Sequence, residues 1–594
     1  MMNLRKRAVS DTFLKFLVPT VMSYLTLSVI SLTDLVIAGH FIGATALSAI
    51  SLAYPVIVYT QILFAFFGVG GAIHLSIQMG RSRWEECSRI FTSAIAATVL
   101  FSVLSAIPGL LFLDPLLKFL GASGGDVWIQ ARGYISVLTG GLPFLTLSPV
   151  MVMYLRNDSE QRYALLCVTV AGVTNLVLSL FLVIVADMGT MGIAIGSVFS
   201  EMLCCLLAAF RLFSGKRMFR LVRMKPDITV LRQILYPGMT LAVIFFSHMF
   251  QVVVVNRRLG LYGSGEGIAV YAVVKYLIIF MFAFFDGVNG SMQPMRGIYY
   301  GEREKENVKT TAGCGAAAML LFSVAMLLMA LGAPFLCRLF SLTGEVTGRE
   351  GLYAFRIMAF SCPMMALITF VNGFYRCTEN VVRAFWISLT DNFVFPVACV
   401  YVFSMLFGMR GVWYGLLAGS FCTCILIAIL CLTGGRGLLM LEEKDFLRKE
   451  KEFLKIYPAN RENLQEIARD QEKYGKSAGL STRQNYFINL IIEELVVNVI
   501  MMADSGRNRR FYVDVRVFQD EEGHLTVRVR DNLTQFDPAE SGVGDLGTLL
   551  KDYRDQGQLR EGAINELGIG MIKRIAREYS YHRTIGYNNF LVTI

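Results

Sequence analysis

Twelve long runs of apolar residues dominate the chain as far as residue 433. They lie near 13–38, 46–75, 90–113, 133–155, 164–186, 190–212, 233–255, 268–289, 311–336, 352–375, 384–408 and 411–433. A helix needs about 20 residues to cross a hydrocarbon core of about 30 Å, and only a helix or a closed barrel satisfies its own backbone there. The pattern therefore predicts a polytopic α-helical membrane protein with twelve transmembrane helices. The first run is full length and has no small-residue cleavage site after it, so it is expected to be a retained helix rather than a signal peptide. After Gly434 and Gly435 the runs stop, and charged sequence of mixed period begins.

That tail has its own periodicities. A short strand is predicted over Phe453–Tyr457, and a helix opens at Asn460 with Glu462 in its first turn. An amphipathic helix covers 483–503, with Ile488, Ile491, Ile492, Leu495, Val496 and Ile500 on its apolar side. Two strands of period two follow, Phe511–Val517 and Leu525–Val529, then a Gly-rich loop, a helix over 571–577 and a last strand, Asn589–Ile594. About 150 residues suffice for an independent α/β domain.

Charge separates the two parts. Of 55 Lys/Arg and 45 Asp/Glu, 24 and 25 lie from Gly435 onward, leaving 31 and 20 before it, so the net positive charge belongs to the membrane part. Its basic residues gather in alternate loops: Arg5–Arg7; Arg81, Arg83 and Arg89; Lys216 to Lys225; and Arg296, Arg303, Lys305 and Lys309. Lys and Arg accumulate in cytoplasmic loops, which predicts an inner (plasma) membrane protein with both termini cytoplasmic, Arg257 and Arg258 being the exception. The long basic loop at 213–232 divides the spans into two sets of six, giving expected domains 1–232, 233–435 and 436–594. Phe67-Gly-Val-Gly-Gly71 followed by Gly80 is echoed by Gly287-Val-Asn-Gly290 followed by Gly301. Repeated halves are a common build for secondary transporters. All twelve cysteines precede residue 435, without a CxxC pair, and read as small core residues. No nucleic-acid partner is expected.

The membrane part resembles the multidrug and toxic-compound extrusion (MATE) family over roughly 10–435. The residues that carry this are Ser31-Leu-Thr-Asp34-Leu-Val-Ile-Ala-Gly39-His40-Phe-Ile-Gly43, Pro55, Phe67-Gly-Val-Gly-Gly71, Gln293-Pro294 and Tyr299-Tyr300-Gly301. The resemblance implies two six-helix lobes and a cavity opening alternately to either side. It also implies export of small organic, often cationic, compounds driven by sodium ions or protons. In the family an Asp matching Asp34 joins an Asn, a second Asp and a Thr on the fifth and sixth helices. Here Asn175 matches the Asn, Ser179 replaces the second Asp, and Ser197 replaces the Thr. Glu201, one turn after Ser197, is expected to restore the missing acid, giving a coupling site of Asp34, Asn175, Ser179, Ser197 and Glu201. A carboxylate pair in the membrane can carry a proton, and the same oxygens can ligate sodium. In the second half, Lys275, Asp286, Asp391 and Asn392 either line a cavity or pair with one another.

The tail resembles the GHKL nucleotide-binding fold of histidine kinases, gyrase and, nearest in order of elements, anti-sigma-factor serine kinases. This rests on Glu493-Glu494-Leu-Val-Val-Asn498, Asp531-Asn-Leu-Thr-Gln-Phe536-Asp-Pro538 and Leu567-Gly568-Ile-Gly570-Met-Ile-Lys573. The resemblance implies a two-layer α/β sandwich holding ATP and Mg²⁺. Glu494 would be the candidate general base, Asn498 the magnesium ligand, Asp531 the acceptor for the adenine amine, and Gly568 and Gly570 the phosphate contacts. Leu533 stands where the family has Gly, which is expected to crowd the base pocket. The chain has no GxxxxGK[ST] loop. The combined reading is a cation-coupled antiporter in the lipid bilayer, with a nucleotide-binding tail and a cytosolic regulatory protein as candidate partner. A membrane-anchored serine kinase or anti-sigma-type switch, and a flippase for lipid or polysaccharide precursors, are the alternatives.

Overall fold

The computed structural model describes the chain apart from residues 1, 121–124, 215–216, 226, 329, 340–343, 435–436, 443–445, 447–451, 505–510, 520–522 and 534–569. Among the described residues, eleven helices are long and apolar enough to cross a membrane. They are Leu4–Ile42, Thr45–Gly80, Trp84–Leu111, Gln161–Ile184, Gly189–Phe213, Ile228–Tyr262, Val270–Gly301, Lys305–Leu328, Thr347–Cys377, Val381–Phe407 and Met409–Gly434. A bent pair, Gly125–Gly140 and Leu142–Asn157, meeting at 52°, makes a twelfth. The spans are numbered here in chain order, the bent pair being the fourth. Hydropathy alone reads 133–155 as one straight run. The bend falls at Gly140 and Gly141, where a Cβ on Gly141 would lie 2.3 Å from Val198 of the sixth span. Adjacent glycines let the chain turn and let the two helices touch.

Spans seven and eight differ from expectation in another way: the backbone is helical from Ile228 to Gly301, where the hydropathy pattern predicts a loop. The same region explains one of the two exceptions to the charge rule, Arg258. Arg258 is buried, donates from Nε to Ser404 Oγ at 2.8 Å and from Nη2 to the Tyr262 hydroxyl at 2.8 Å, and covers the Tyr401 ring at 4.5 Å. A guanidinium satisfied inside the protein carries no information about loop topology.

The twelve spans form two six-helix lobes, whose contact is made by glycine. A Cβ on Gly80 would meet the Ile298 carbonyl oxygen at 2.1 Å, and one on Gly301 would meet the Ile77 carbonyl oxygen at 2.1 Å. The second and eighth spans thus cross at reciprocal positions with their backbones in contact, as small residues permit within membranes.

Residues Met1–Thr12 and Glu443–Ile594 form a second compact unit, apart from Phe13–Glu442. Its five-stranded antiparallel sheet comprises β1 (Glu452–Pro458), β2 (Tyr512–Gln519), β3 (Leu525–Asp531), β4 (Glu578–Thr584) and β5 (Tyr587–Thr593), in the order β1-β2-β3-β5-β4. Helices α1 (Asn463–Ser477) and α2 (Thr482–Asp504) pack on one face. Ile488, Ile491, Ile492, Leu495 and Val496 meet Val513, Val515, Val517, Val527 and Val529 there, the period of the helix matching the alternation of the strands. On the other face Arg516 pairs with Glu452 at 2.8 Å and Arg528 with Asp514 at 3.1 Å.

Strand β4 is absent from the pattern-based expectation, because Glu578-Tyr-Ser-Tyr-His-Arg-Thr584 has no apolar alternation. It is tied to β5 by a two-residue turn, Ile585 at φ 54° and Gly586 at φ 79°. Both central residues are left-handed, as a tight hairpin requires, but a β-branched residue disguises the signal. The N-terminal helix also contributes: the Tyr587 hydroxyl donates to the Ala8 carbonyl at 2.9 Å and contacts the Thr12 hydroxyl, which joins the first three turns to β5.

Candidate functional site

The first span carries Asp34 in its last helical turns, just before a π-helical turn at Ala38–Ile42. The fifth and sixth spans bring Asn175 and Ser197 to it. Ser197 Oγ donates to Asp34 Oδ2 at 3.2 Å, and Asn175 Nδ2 donates to Ser197 Oγ at 3.0 Å. The serine hydroxyl also lies 3.1 Å from the Ile193 carbonyl of its own helix, so its single proton has two alternative acceptors. Asp34 Oδ1 and Asn175 Oδ1 are buried without a hydrogen-bond partner, as is Ser179 Oγ one turn beyond Asn175. An unpartnered carboxylate oxygen next to a shared serine hydroxyl and an unpartnered amide oxygen suits a proton or a small cation, which would restore what burial removes. Tyr134, from the first half of the bent fourth span, lies within electrostatic reach of Asp34. Sequence reading did not single it out, because the two lie 100 positions apart and meet only when the fourth span packs near the first.

Glu201 stands elsewhere. It lies beside Ser148 of the fourth span and Cys204 and Cys205 of its own helix. The spacing from Ser197 puts the two on similar faces, but the helix axis carries Glu201 a full turn away from the Asp34 carboxylate.

In the second lobe Lys275 and Asp286 have different partners, while Asn392 Nδ2 lies 3.5 Å from Asp391 Oδ2. Lys275 Nζ covers the Tyr54 ring at 4.5 Å, whereas Asp286 has Arg376 as its charged neighbour. Asp391 lies in a π-helical turn, Thr390–Val394, and faces Thr423 of the twelfth span. Asn392 Nδ2 donates to the Ser388 carbonyl at 2.9 Å and is within reach of His248 of the seventh span.

The soluble unit places Asp531 at the end of β3, fully buried. Its Oδ1 accepts from the Leu533 backbone N–H at 2.9 Å and from Asn588 Nδ2 at 2.8 Å, while Oδ2 is buried with no partner. Burial pushes this carboxyl up to about 6, and the two hydrogen bonds and Arg583 oppose the rise. On α2, Asn498 Nδ2 donates to the Glu494 carbonyl at 2.8 Å, which leaves its amide oxygen for another ligand. Burial and then Glu493 raise the Glu494 carboxyl above the usual range. The Leu533 side chain belongs to the apolar core with Ile572. Gly570 begins a short helix over 570–575, and Gly568 lies outside the described residues.

The MatE family model matches residues 19–181 and 237–402, which takes in most of both lobes and the helices that carry Asp34 and Asn175, though not the sixth span with Ser197. The chain belongs to the MatE family. A probable multidrug resistance protein NorM from Photorhabdus laumondii is 23% identical over 449 residues, covering 71% of this MatE protein and 95% of the relative. A multidrug export protein MepA from Staphylococcus haemolyticus is 19% identical over 446 residues, covering 75% and 97%. Among solved structures, an outward-facing conformation of a multidrug resistance MATE family transporter of the MOP superfamily superposes with a TM-score of 0.67 at 20% identity, over 70% of this chain and 94% of that one. A MOP superfamily transporter from Pyrococcus furiosus, described as having a binding pocket of reversed polarity, gives 0.67 at 20% identity over the same shares. These superpositions concern the fold of the MatE part alone. The tail is a histidine kinase-like ATPase domain, matched over residues 457–593.

Proposed function

We propose that this MatE protein is a cation-coupled exporter of small organic compounds, with Asp34 carrying the coupling proton or sodium ion. The observation that carries this is the buried Asp34 oxygen with no donor, beside a serine whose one proton is shared between Asp34 and Ile193. Loading a cation at Asp34 satisfies Oδ1 and lets the Ser197 proton return to the helix carbonyl, which loosens the link between spans one and six. The multidrug names of the NorM and MepA relatives support an organic cargo. The basic loops support a cytoplasmic position for both termini. The tail binds ATP and acts as a regulatory domain. Asp531 Oδ2, an acceptor buried without a partner, fits an adenine amine, and the free amide oxygen of Asn498 fits a magnesium ion on the phosphates. Bound Mg²⁺-ATP would supply an ordered anionic group, which the residues of α2 and β3 would hold and orient.

The test is ethidium flux in liposomes holding the full chain, driven by an imposed sodium or proton gradient. Wild type is expected to couple flux to one of the two gradients, and Asp34→Asn to reduce gradient-driven flux to background. Undiminished coupling in Asp34→Asn would falsify the assignment.

A further inference from the structure

Besides Arg258, three guanidinium groups are withdrawn from solvent within the membrane part: Arg156 of the fourth span is 4% exposed, Arg296 of the eighth 0% and Arg376 of the tenth 9%. They are neighbours. Arg296 lies within electrostatic reach of Arg376, which in turn has Asp286 and Tyr24 in reach. The Arg156 guanidinium covers the Tyr24 ring at 4.8 Å. Of these three cations, Arg376 has a carboxylate, Asp286, as a charged neighbour, while Arg296 has Arg376 and Cys377. Burying charges without matching counter-charge is unfavourable by several kcal/mol for each ion, so a closed protein interior does not ordinarily keep such an excess.

The donors are also incompletely used. Arg296 donates from Nη1 to Asn289 Oδ1 at 3.3 Å and from Nη2 to the Met292 sulfur at 3.1 Å, and it lies over the Phe370 and Phe374 rings at 5.0 and 5.2 Å. Its Nε has no partner, and neither do Nε and Nη1 of Arg376 or Nε of Arg156. Helix ends explain part of this: Arg156 and Arg376 sit in the last turns of Leu142–Asn157 and Glu345–Cys377. Each helix end supplies only about half a negative charge, and Arg296 lies within a helix and gains none.

We propose that Arg296, Arg376 and Arg156 form a binding site for an oxyanion, a phosphate or carboxylate group, with Asp286 setting its affinity by repulsion. The planar fork of a guanidinium matches two oxygens of such a group, and an anion here would answer both the excess charge and the idle N–H groups. A phospholipid headgroup and a free anion carry the same oxyanion chemistry, and the experiment distinguishes the two.

The experiment is thermal unfolding of the full chain in detergent against inorganic phosphate, with sodium chloride at matched ionic strength as control. A parallel arm uses nanodiscs of phosphatidylcholine with and without phosphatidylglycerol. Saturable stabilisation by phosphate in wild type is expected, with Arg376→Gln weakening it by about tenfold and Asp286→Asn strengthening it. Stabilisation by phosphatidylglycerol alone, with the same dependence on both variants, would identify the lipid phosphate as the ligand and equally support the site. The proposal fails if neither anion gives a saturable response, or if Arg376→Gln responds as wild type does. Should Arg376→Gln not fold, Asp286→Asn decides: an unchanged response in that variant overturns the site.

Discussion

Replacing Asp531 by Asn separates two things the carboxylate does in opposite directions. The side chain is fully buried and its carboxyl rises from 3.8 to about 6. A group that binds its proton more tightly when folded gives stability that is present at low pH and lost as pH rises through the folded value. Between pH 4 and 6 the wild-type domain should therefore lose up to about 3 kcal/mol, because each tenfold fall in proton concentration across that window removes about 1.4 kcal/mol. In Asp531→Asn that decline should be absent, because nothing at the site ionises, and the Asn oxygen still accepts from Leu533 and Asn588. Nucleotide binding should move the other way. Oδ2 is the acceptor left open for an adenine amine, and a hydrogen bond to a charged acceptor contributes about 1.5–3 kcal/mol, so the variant should bind ATP more weakly by about 10- to 150-fold. The assays are unfolding of the full chain between pH 4 and 8, followed through the far-ultraviolet signal of the sheet, and calorimetric titration with Mg²⁺-ATP at pH 7.5. GTP, whose base presents a carbonyl at that position, serves as control. Two results would refute the reasoning: ATP affinity within twofold of wild type, or a weakened affinity accompanied by an equal loss of stability at pH 7.5.

Further tests concern other parts of the molecule. Ser197→Ala removes the donor 3.2 Å from Asp34 and, at about 1 kcal/mol for one hydrogen bond, should change the half-saturating concentration of the coupling ion about fivefold; an unchanged midpoint in the liposome assay would show that the contact is idle. Gly80→Ala puts a Cβ 2.1 Å from the Ile298 carbonyl and should destabilise the chain by about 1–3 kcal/mol, whereas Gly313→Ala, with nothing within 4 Å, should be neutral; melting temperatures in detergent compare the two. Tyr587→Phe loses the hydroxyl that reaches Ala8 and Thr12 and should speed amide hydrogen exchange in residues 2–12 without altering exchange in β2 and β3, and equal protection there would rule out that anchor.

The fold was largely readable from hydropathy and alternation, because both depend on local sequence. The lengths of the apolar runs set the spans, and the valines of β2 and β3 announced the sheet. What was missed had a physical cause in each case. The bend of the fourth span follows from contact between Gly141 and Val198, 57 residues apart in sequence, and β4 is held in place by β5 rather than by any apolar pattern of its own. Residues 2–12 read as a basic segment ahead of the first run, yet they group with the soluble unit, where Ala8 and Thr12 meet Tyr587.

The site divides along the same line. Asp34, Asn175 and Ser197 could be named from the resemblance of short segments, and Asp531 from its place at a strand end. Their partners could not, because a hydrogen bond such as Ser197 to Asp34 joins residues 163 positions apart and exists only once the sixth span packs on the first. The same holds for Glu201, whose spacing from Ser197 was suggestive but whose neighbours proved to be Ser148 and Cys204. Sequence alone determined which segments enter the bilayer and which form a sheet, since burying apolar side chains and satisfying backbone groups are demands each segment meets by itself. Tertiary structure decided which buried charges stand together and which acceptors stay open, since that depends on how helices distant in the chain are turned toward one another.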